Sequence, residues 1–169
     1  MISFFSTDQN KMSDIIDLTD QCELFTLEKQ VVDAKVVRVK DGDTILCCFS
    51  VFGMQPKKWC IRMLGYDSCE IHTKNEEEKL HGLASTLLLQ NKILNKIVNL
   101  SFGPSDKYGR LLATVHLDGE NINQYMINNS SSVAYGGKHK DKDFNYSCTN
   151  KDYLACMQKV RAQRQRNDQ

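Results

Sequence analysis

No stretch of this 169-residue chain is apolar for long enough to cross a bilayer. Its four histidines never stand at ligand spacing from one another, and no Cys-x2-Cys pair occurs, so the usual zinc arrangements are excluded. The seven cysteines are odd in number, and Cys47-Cys48 lie side by side in a strand-like run, which does not build a disulfide framework. They read as reduced thiols used as small hydrophobes, and an intracellular compartment, cytoplasmic or nuclear, is expected. The opening Met1-Ile2-Ser3-Phe4-Phe5 is only briefly apolar, has no basic lead and is followed by Asp8, Asp14 and Asp17, so no secretory signal is expected. Charge of either sign is not in excess. The formal net charge is +1, which excludes a uniformly basic surface that coats a polyanion.

The charge is uneven, however. Residues 1–30 hold six acids against two bases, and the remainder holds 20 bases against 15 acids. Apolar residues make up 41% and charged residues 25%, ordinary values for a globular protein. The length suits one domain with a buried core. Residues 1–30 show no period and read as a flexible acidic arm with a short helix near Ile15–Leu18. The domain is then 31–169.

Val31–Lys40 reads as a first strand. Val32, Ala34 and Val36 share one face and Val37 and Val39 the other, a phase slip that marks a bulge near Val36-Val37. Asp41-Gly42-Asp43 is a turn signal. Thr44–Phe52 and Trp59–Tyr66 supply two more strands, and Glu76–Val98 a helix with Leu80, Ala84, Leu87, Asn91, Leu94 and Val98 as its stripe. Val98–Phe102 and Leu111–Leu117 are further strands. Glu120–Asn128 and Tyr153–Gln165 are further helices, the last with Leu154, Met157 and Val160 on one side, and Ser130–Asn145 is a polar loop. Periodicity alone supports an α+β domain.

Three stretches carry chemistry: Asp41-Gly42-Asp43-Thr44, Arg62-Met63-Leu64-Gly65-Tyr66-Asp67-Ser68-Cys69-Glu70 and Asp106-Lys107-Tyr108-Gly109-Arg110. They contain carboxylates for a hard cation, a further carboxylate for acid–base work and two arginines for phosphate. Attack on a phosphodiester needs those parts. Taken singly the signals are weak. Asp-Gly-Asp is a common hairpin turn, which is the role given to Asp41, and a lone strand arginine usually faces solvent.

In order and spacing these stretches resemble the staphylococcal nuclease (thermonuclease) family, over about Val31 to Lys159. The resemblance implies a five-stranded Greek-key OB-fold barrel with three packed α-helices. It implies calcium held by Asp43, Asp67 and the main-chain carbonyl of Ser68. Glu70 falls at the position of the candidate general base, and Arg62 and Arg110 match the phosphate arginines. Lys107, Tyr108 and Tyr135 match the nucleotide pocket; either tyrosine could instead be packing. The expected activity is calcium-dependent hydrolysis of DNA and RNA to 3′-phosphate and 5′-hydroxyl ends, with single strands preferred, by a monomer that needs no membrane. Cys69 stands where the family commonly has proline, which is expected to loosen the backbone entering Glu70. Gly137 stands where a second tyrosine is usual. A non-catalytic nucleic-acid or protein-binding module on the same fold is the rival. A plain OB-fold single-strand binder is a third reading, resting on Trp59 and Phe49 alone.

Overall fold

The computed structural model describes residues 19–21, 24–106, 108, 110–135, 144 and 146–167. The expected short helix near Ile15–Leu18, Lys107 and much of the 130–145 loop lie outside the described residues.

Alternating apolar side chains make the barrel wall. Strand β1 (Val31–Asp41) turns Ala34, Val36 and Val39 inward. Its register against β2 (Thr44–Phe49) slips between Val36 and Arg38, so the bulge falls at Val37 as the phase of the sequence implies. Ile45, Cys47 and Phe49 of β2 and Ile61 and Met63 of β3 (Lys57–Met63) continue the inner face. The third strand was expected to reach Tyr66 but ends at Met63. Gly65 sits at φ 81°, a left-handed conformation that only glycine adopts cheaply, and it turns the chain off the wall. The short strand β4 (Tyr66–Asp67) then pairs with β8 (Val133–Ala134) instead.

Helix α1 covers Glu76–Ile93. Asn75 caps it, accepting from the Glu77 and Glu78 amides at 3.0 and 3.1 Å, and three glutamates follow where the helix dipole favours acid. The helix stops at Ile93, five residues before the expected Val98, because Asn95 takes φ 64° and the chain re-enters the sheet as β5 (Ile97–Phe102). Its buried face is also rotated from the expected stripe. His81, Ala84, Ser85, Leu88, Leu89 and Ile93 are buried, while Asn91 is exposed. This helix carries leucine on several sides, so periodicity could not choose the face. The polar His81 and Ser85 face inward because they find hydrogen-bond partners there.

Strand β6 (Leu111–Leu117) pairs antiparallel with β5 and parallel with β3. The hydrogen-bonded order is therefore β3-β2-β1-β5-β6, and the β3–β6 pairing closes five strands into a barrel. A short β7 (Glu120–Asn121) leads into α2 (Ile122–Asn129), and α3 (Lys151–Asn167) packs on α1. The fold is the Greek-key OB barrel with three helices that the motifs imply. Leu154 of α3 is exposed, and Tyr153, Cys156, Met157 and Val160 form its buried side.

Candidate active site

The β1–β2 turn, the β3–β4 corner and the loop between β5 and β6 meet at one barrel rim. Arg62, at the end of β3, is the hub. Its Nη1 donates to the Met63 carbonyl at 2.8 Å and to the Asp43 carbonyl at 3.4 Å. Its Nη2 donates to the Tyr66 carbonyl at 2.8 Å, lies 3.2 Å from Asp43 Oδ2 and donates to Asp67 Oδ1. Two carboxylates from separate elements thus converge on one cationic nitrogen, each with little more than a tenth of its side chain exposed.

Asp43 is placed by its neighbours. Its amide donates to Asp41 Oδ1 at 3.2 Å, the turn role expected of Asp41. Its own carboxylate accepts from the Ser68 amide at 2.8 Å and from the Thr44 hydroxyl at 3.0 Å. Burial pushes the Asp43 carboxyl up to about 6, against the attraction of Arg62; Asp41 adds to the rise, and the bonds from Ser68 and Thr44 oppose it. A carboxylate held this way gains from a cation.

The donor set fits a hard cation. Asp43 and Asp67 are all-oxygen ligands, and Ser68 Oγ beside them is buried with no hydrogen-bond partner. Among the described residues no group of three or more His, Cys, Asp or Glu is placed to hold a metal ion. A resident ion would therefore rest on two carboxylates, main-chain oxygen and water, a set that suits calcium better than zinc.

Glu70 is exposed. Its Oε1 accepts from the Ile71 and His72 amides at 3.0 and 3.2 Å, and it makes no hydrogen bond to Asp43, Arg62 or Asp67. The rim therefore gathers Asp43, Arg62, Asp67 and Ser68 directly, with Glu70 two residues beyond Ser68. Cys69 is the residue expected to loosen this segment. It is buried, and its Sγ lies 3.2 Å from Ser131 Oγ. Its carbonyl sits so close to α1 that a Cβ on Gly82 would lie 2.7 Å from it.

A cavity of about 600 Å³ opens beside Arg62, lined by Tyr66, Asp106, Tyr108, Arg110, Leu112 and Tyr135 among others. Arg110 Nε donates to Asp106 Oδ2 at 2.6 Å, which leaves both terminal nitrogens to reach a ligand. Tyr108 is exposed, and the Arg110 guanidinium lies 5.7 Å from its ring centre. Tyr135 is tied by its amide to the Gly65 carbonyl at 2.9 Å. Lys107 lies outside the described residues.

Two residues here had no assigned role from sequence. Asp106 ties Tyr108 and Arg110 to itself, since its Oδ1 accepts from both their amides at 2.9 Å. An acid followed two and four residues later by its own donors is a readable turn signal. Tyr66 is fully buried, and its hydroxyl donates to the Gly42 carbonyl at 2.8 Å, tying the β3–β4 corner to the β1–β2 turn. Nothing local in the sequence announces that contact.

The family model for staphylococcal nuclease homologues matches residues 60–166, which takes in Arg62, Asp67, Glu70 and Arg110. The chain belongs to that family. Among its relatives, an uncharacterized endonuclease of Escherichia coli is 30% identical over 105 residues, covering 62% of this chain and 61% of that one. The thermonuclease of Staphylococcus hyicus is 33% identical over 94 residues, covering 54% and 53%. Endonuclease YncB of Bacillus subtilis is 29% identical over 112 residues, covering 64% and 51%. The chain spans between half and about three fifths of the length of these relatives. Among the described residues no helix is long and apolar enough to cross a membrane.

Proposed function

We propose that the protein is a calcium-dependent nuclease that hydrolyses phosphodiester bonds of DNA and RNA and leaves 3′-phosphate and 5′-hydroxyl ends. The observation that carries the reading is the Arg62 guanidinium held between Asp43 and Asp67, at the lip of a cavity lined also by Arg110, Tyr108 and Tyr135. Calcium held by Asp43, Asp67 and the Ser68 carbonyl would neutralise phosphate charge and acidify a bound water. Glu70 is the nearest exposed carboxylate in the chain after these ligands, and we assign it the proton of the attacking water. Arg62 and Arg110 present planar forks of permanently charged donors to the phosphate oxygens as negative charge builds on them. Tyr108 and Tyr135 offer faces on which an unpaired base can stack, so single strands are preferred over closed duplex.

The non-catalytic alternative has one observation in its favour. Glu70 Oε1 is occupied by two amides of its own loop. Digestion of single-stranded DNA and RNA with calcium, with magnesium and with chelator separates the two. Cleavage in calcium that chelator abolishes is expected, with magnesium a poor substitute because it demands tighter octahedral geometry. Binding without cleavage in every cation would favour the alternative.

A further inference from the structure

On the outer face of the barrel a set of bases leads toward the cavity. Residues directly opposite one another across a sheet point to the same side. Lys35 stands opposite Cys48, and Cys48 opposite Lys58. The next outward row is Arg38, Leu46 and Cys60, and the row after that ends at Arg62. Arg38 belongs to the outer face because of the bulge at Val37, since unbroken alternation from the buried Val36 would point it into the core. Arg62 in turn stands opposite Leu112 of β6, and both line the cavity. Rows on one face are two residues apart, so Lys58 lies about 13 Å from Arg62 along β3.

Lys35, Arg38 and Lys58 are all exposed. None makes an ion pair with a described residue, whereas the ion pairs among the described residues involve Arg62, Lys79, Lys92, Arg110 and Arg164. Within these three rows the acid is Asp41, beside the site, and Asp33 lies one row before Lys35 on the same face, where it accepts from Asn99 at 3.2 Å. In a chain with a net charge of only +1, this gathers unpaired positive charge on one sheet face. Such a field attracts a polyanion.

We propose that this face carries the backbone of a single nucleic-acid strand whose reacting nucleotide lies in the cavity, with Lys35, Arg38 and Lys58 each meeting a phosphate. The inference rests on the nuclease reading, which it extends beyond the scissile nucleotide. It predicts an affinity that grows with strand length. The side chains between the bases are Leu46, Cys48 and Cys60, with no aromatic among them, so the track reads phosphates rather than bases and is indifferent to sequence.

The test compares the wild-type chain with the triple variant Lys35→Ala, Arg38→Ala, Lys58→Ala. Fluorescent oligothymidylates of about three and about twelve nucleotides, lengths that bracket one OB-fold site, serve as probes in chelator. The variant is expected to bind the longer strand roughly ten- to a hundredfold more weakly and to lose about 2 from its salt slope, near 0.7 for each phosphate. Binding of the short probe, and its cleavage once calcium is added, should be unchanged. A control variant removes three exposed bases from α3 instead: Lys151→Ala, Lys159→Ala and Arg161→Ala. Equal losses in the two variants, or no loss in the first, would overturn the track in favour of a diffuse field or an idle surface. Melting temperatures identify an unfolded variant, for which Lys35→Gln, Arg38→Gln, Lys58→Gln, expected to show the same loss on the longer strand, replaces the comparison. A wild type that cleaves neither probe in calcium would count against the nuclease reading, while the length dependence of binding still decides the track.

Discussion

Arg62 is caught between structure and chemistry, and Arg110 is not. Arg62 satisfies three main-chain carbonyls and two mostly buried carboxylates. Removing one partner of a buried pair typically costs about 3–5 kcal/mol, because the other charge stays buried. Arg62→Ala is therefore expected to lower the melting temperature as well as turnover. Arg110 is half exposed and pairs with Asp106 at the surface, where ion pairs contribute little. Arg110→Ala should lose roughly a hundred- to a thousandfold in turnover, the usual cost of a missing donor at developing charge, with no shift in melting. Paired melts and digestion rates check this; an unshifted melt for Arg62→Ala would contradict the hub role. Glu70→Gln isolates the proton acceptor. It should reduce turnover by roughly a hundred- to ten-thousandfold while calcium-dependent nucleotide binding persists, and unchanged turnover at saturating calcium would remove Glu70 from the reaction. At this scale the sequence marked Arg62 and Asp67, five residues apart, for separate roles, and the structure pairs them. The sequence was silent on Tyr66, whose hydroxyl reaches Gly42 across 24 positions, because only the closed barrel creates that contact.

The segment from Ser68 to Ile71 is clamped by elements rather than by proline. Gly42 lies under Ser68, where an added Cβ would stand 2.0 Å from its Oγ, and Gly82 of α1 lies against the Cys69 carbonyl. Gly82→Ala should gain helix propensity worth about 1 kcal/mol but force the loop outward, an overpacking cost of about 1–3 kcal/mol. A larger loss in turnover than in stability is expected, since the displaced residues border Glu70; a faster enzyme would contradict the clamp. Behind the loop, Ser131 bonds Ser85, and His81 Nδ1 lies 2.7 Å from the Tyr153 hydroxyl, which joins α1 to α3. Burial holds the His81 imidazole below its ordinary value. The unfolded chain takes up that proton first, near pH 6.5. The contribution of His81 is therefore fully present above about 6.5 and is lost as pH falls through the lower folded value. Melts between neutral pH and about 5 should show a smaller acid destabilisation in His81→Asn than in wild type. Equal slopes would remove His81 from the acid response. Sequence periodicity missed this face because polar residues sit at its centre. A histidine and a serine on a buried helix surface look like solvent positions until Tyr153 and Ser131, far along the chain, are brought to meet them.

At the scale of the molecule, the barrel begins before its first strand. Leu27 is buried in the core, and Lys29 and Gln30 exchange main-chain hydrogen bonds with Phe102 at 2.9 Å. The acidic composition of residues 1–30 as a block hides this, because one buried leucine does not change an average. Two truncations separate the arm from the fold. A chain starting at Leu24 keeps Leu27 and both bonds to β5, and it removes residues that match none of the site motifs. Its melting temperature and specific activity should equal those of the full chain. A chain starting at Val31 loses a core side chain, and large-to-small losses of buried leucine cost about 2–5 kcal/mol. It also leaves the Phe102 amide and carbonyl without their partners at the strand end that feeds the Asp106–Arg110 loop. That chain should melt at lower temperature and, where still folded, bind nucleotide more weakly than it binds calcium. Thermal melts with calcium and nucleotide titrations on both truncations measure this. Loss of activity in the Leu24 chain at full stability would show that the acidic arm acts on the site, and full stability in the Val31 chain would show that Leu27 merely covers the barrel.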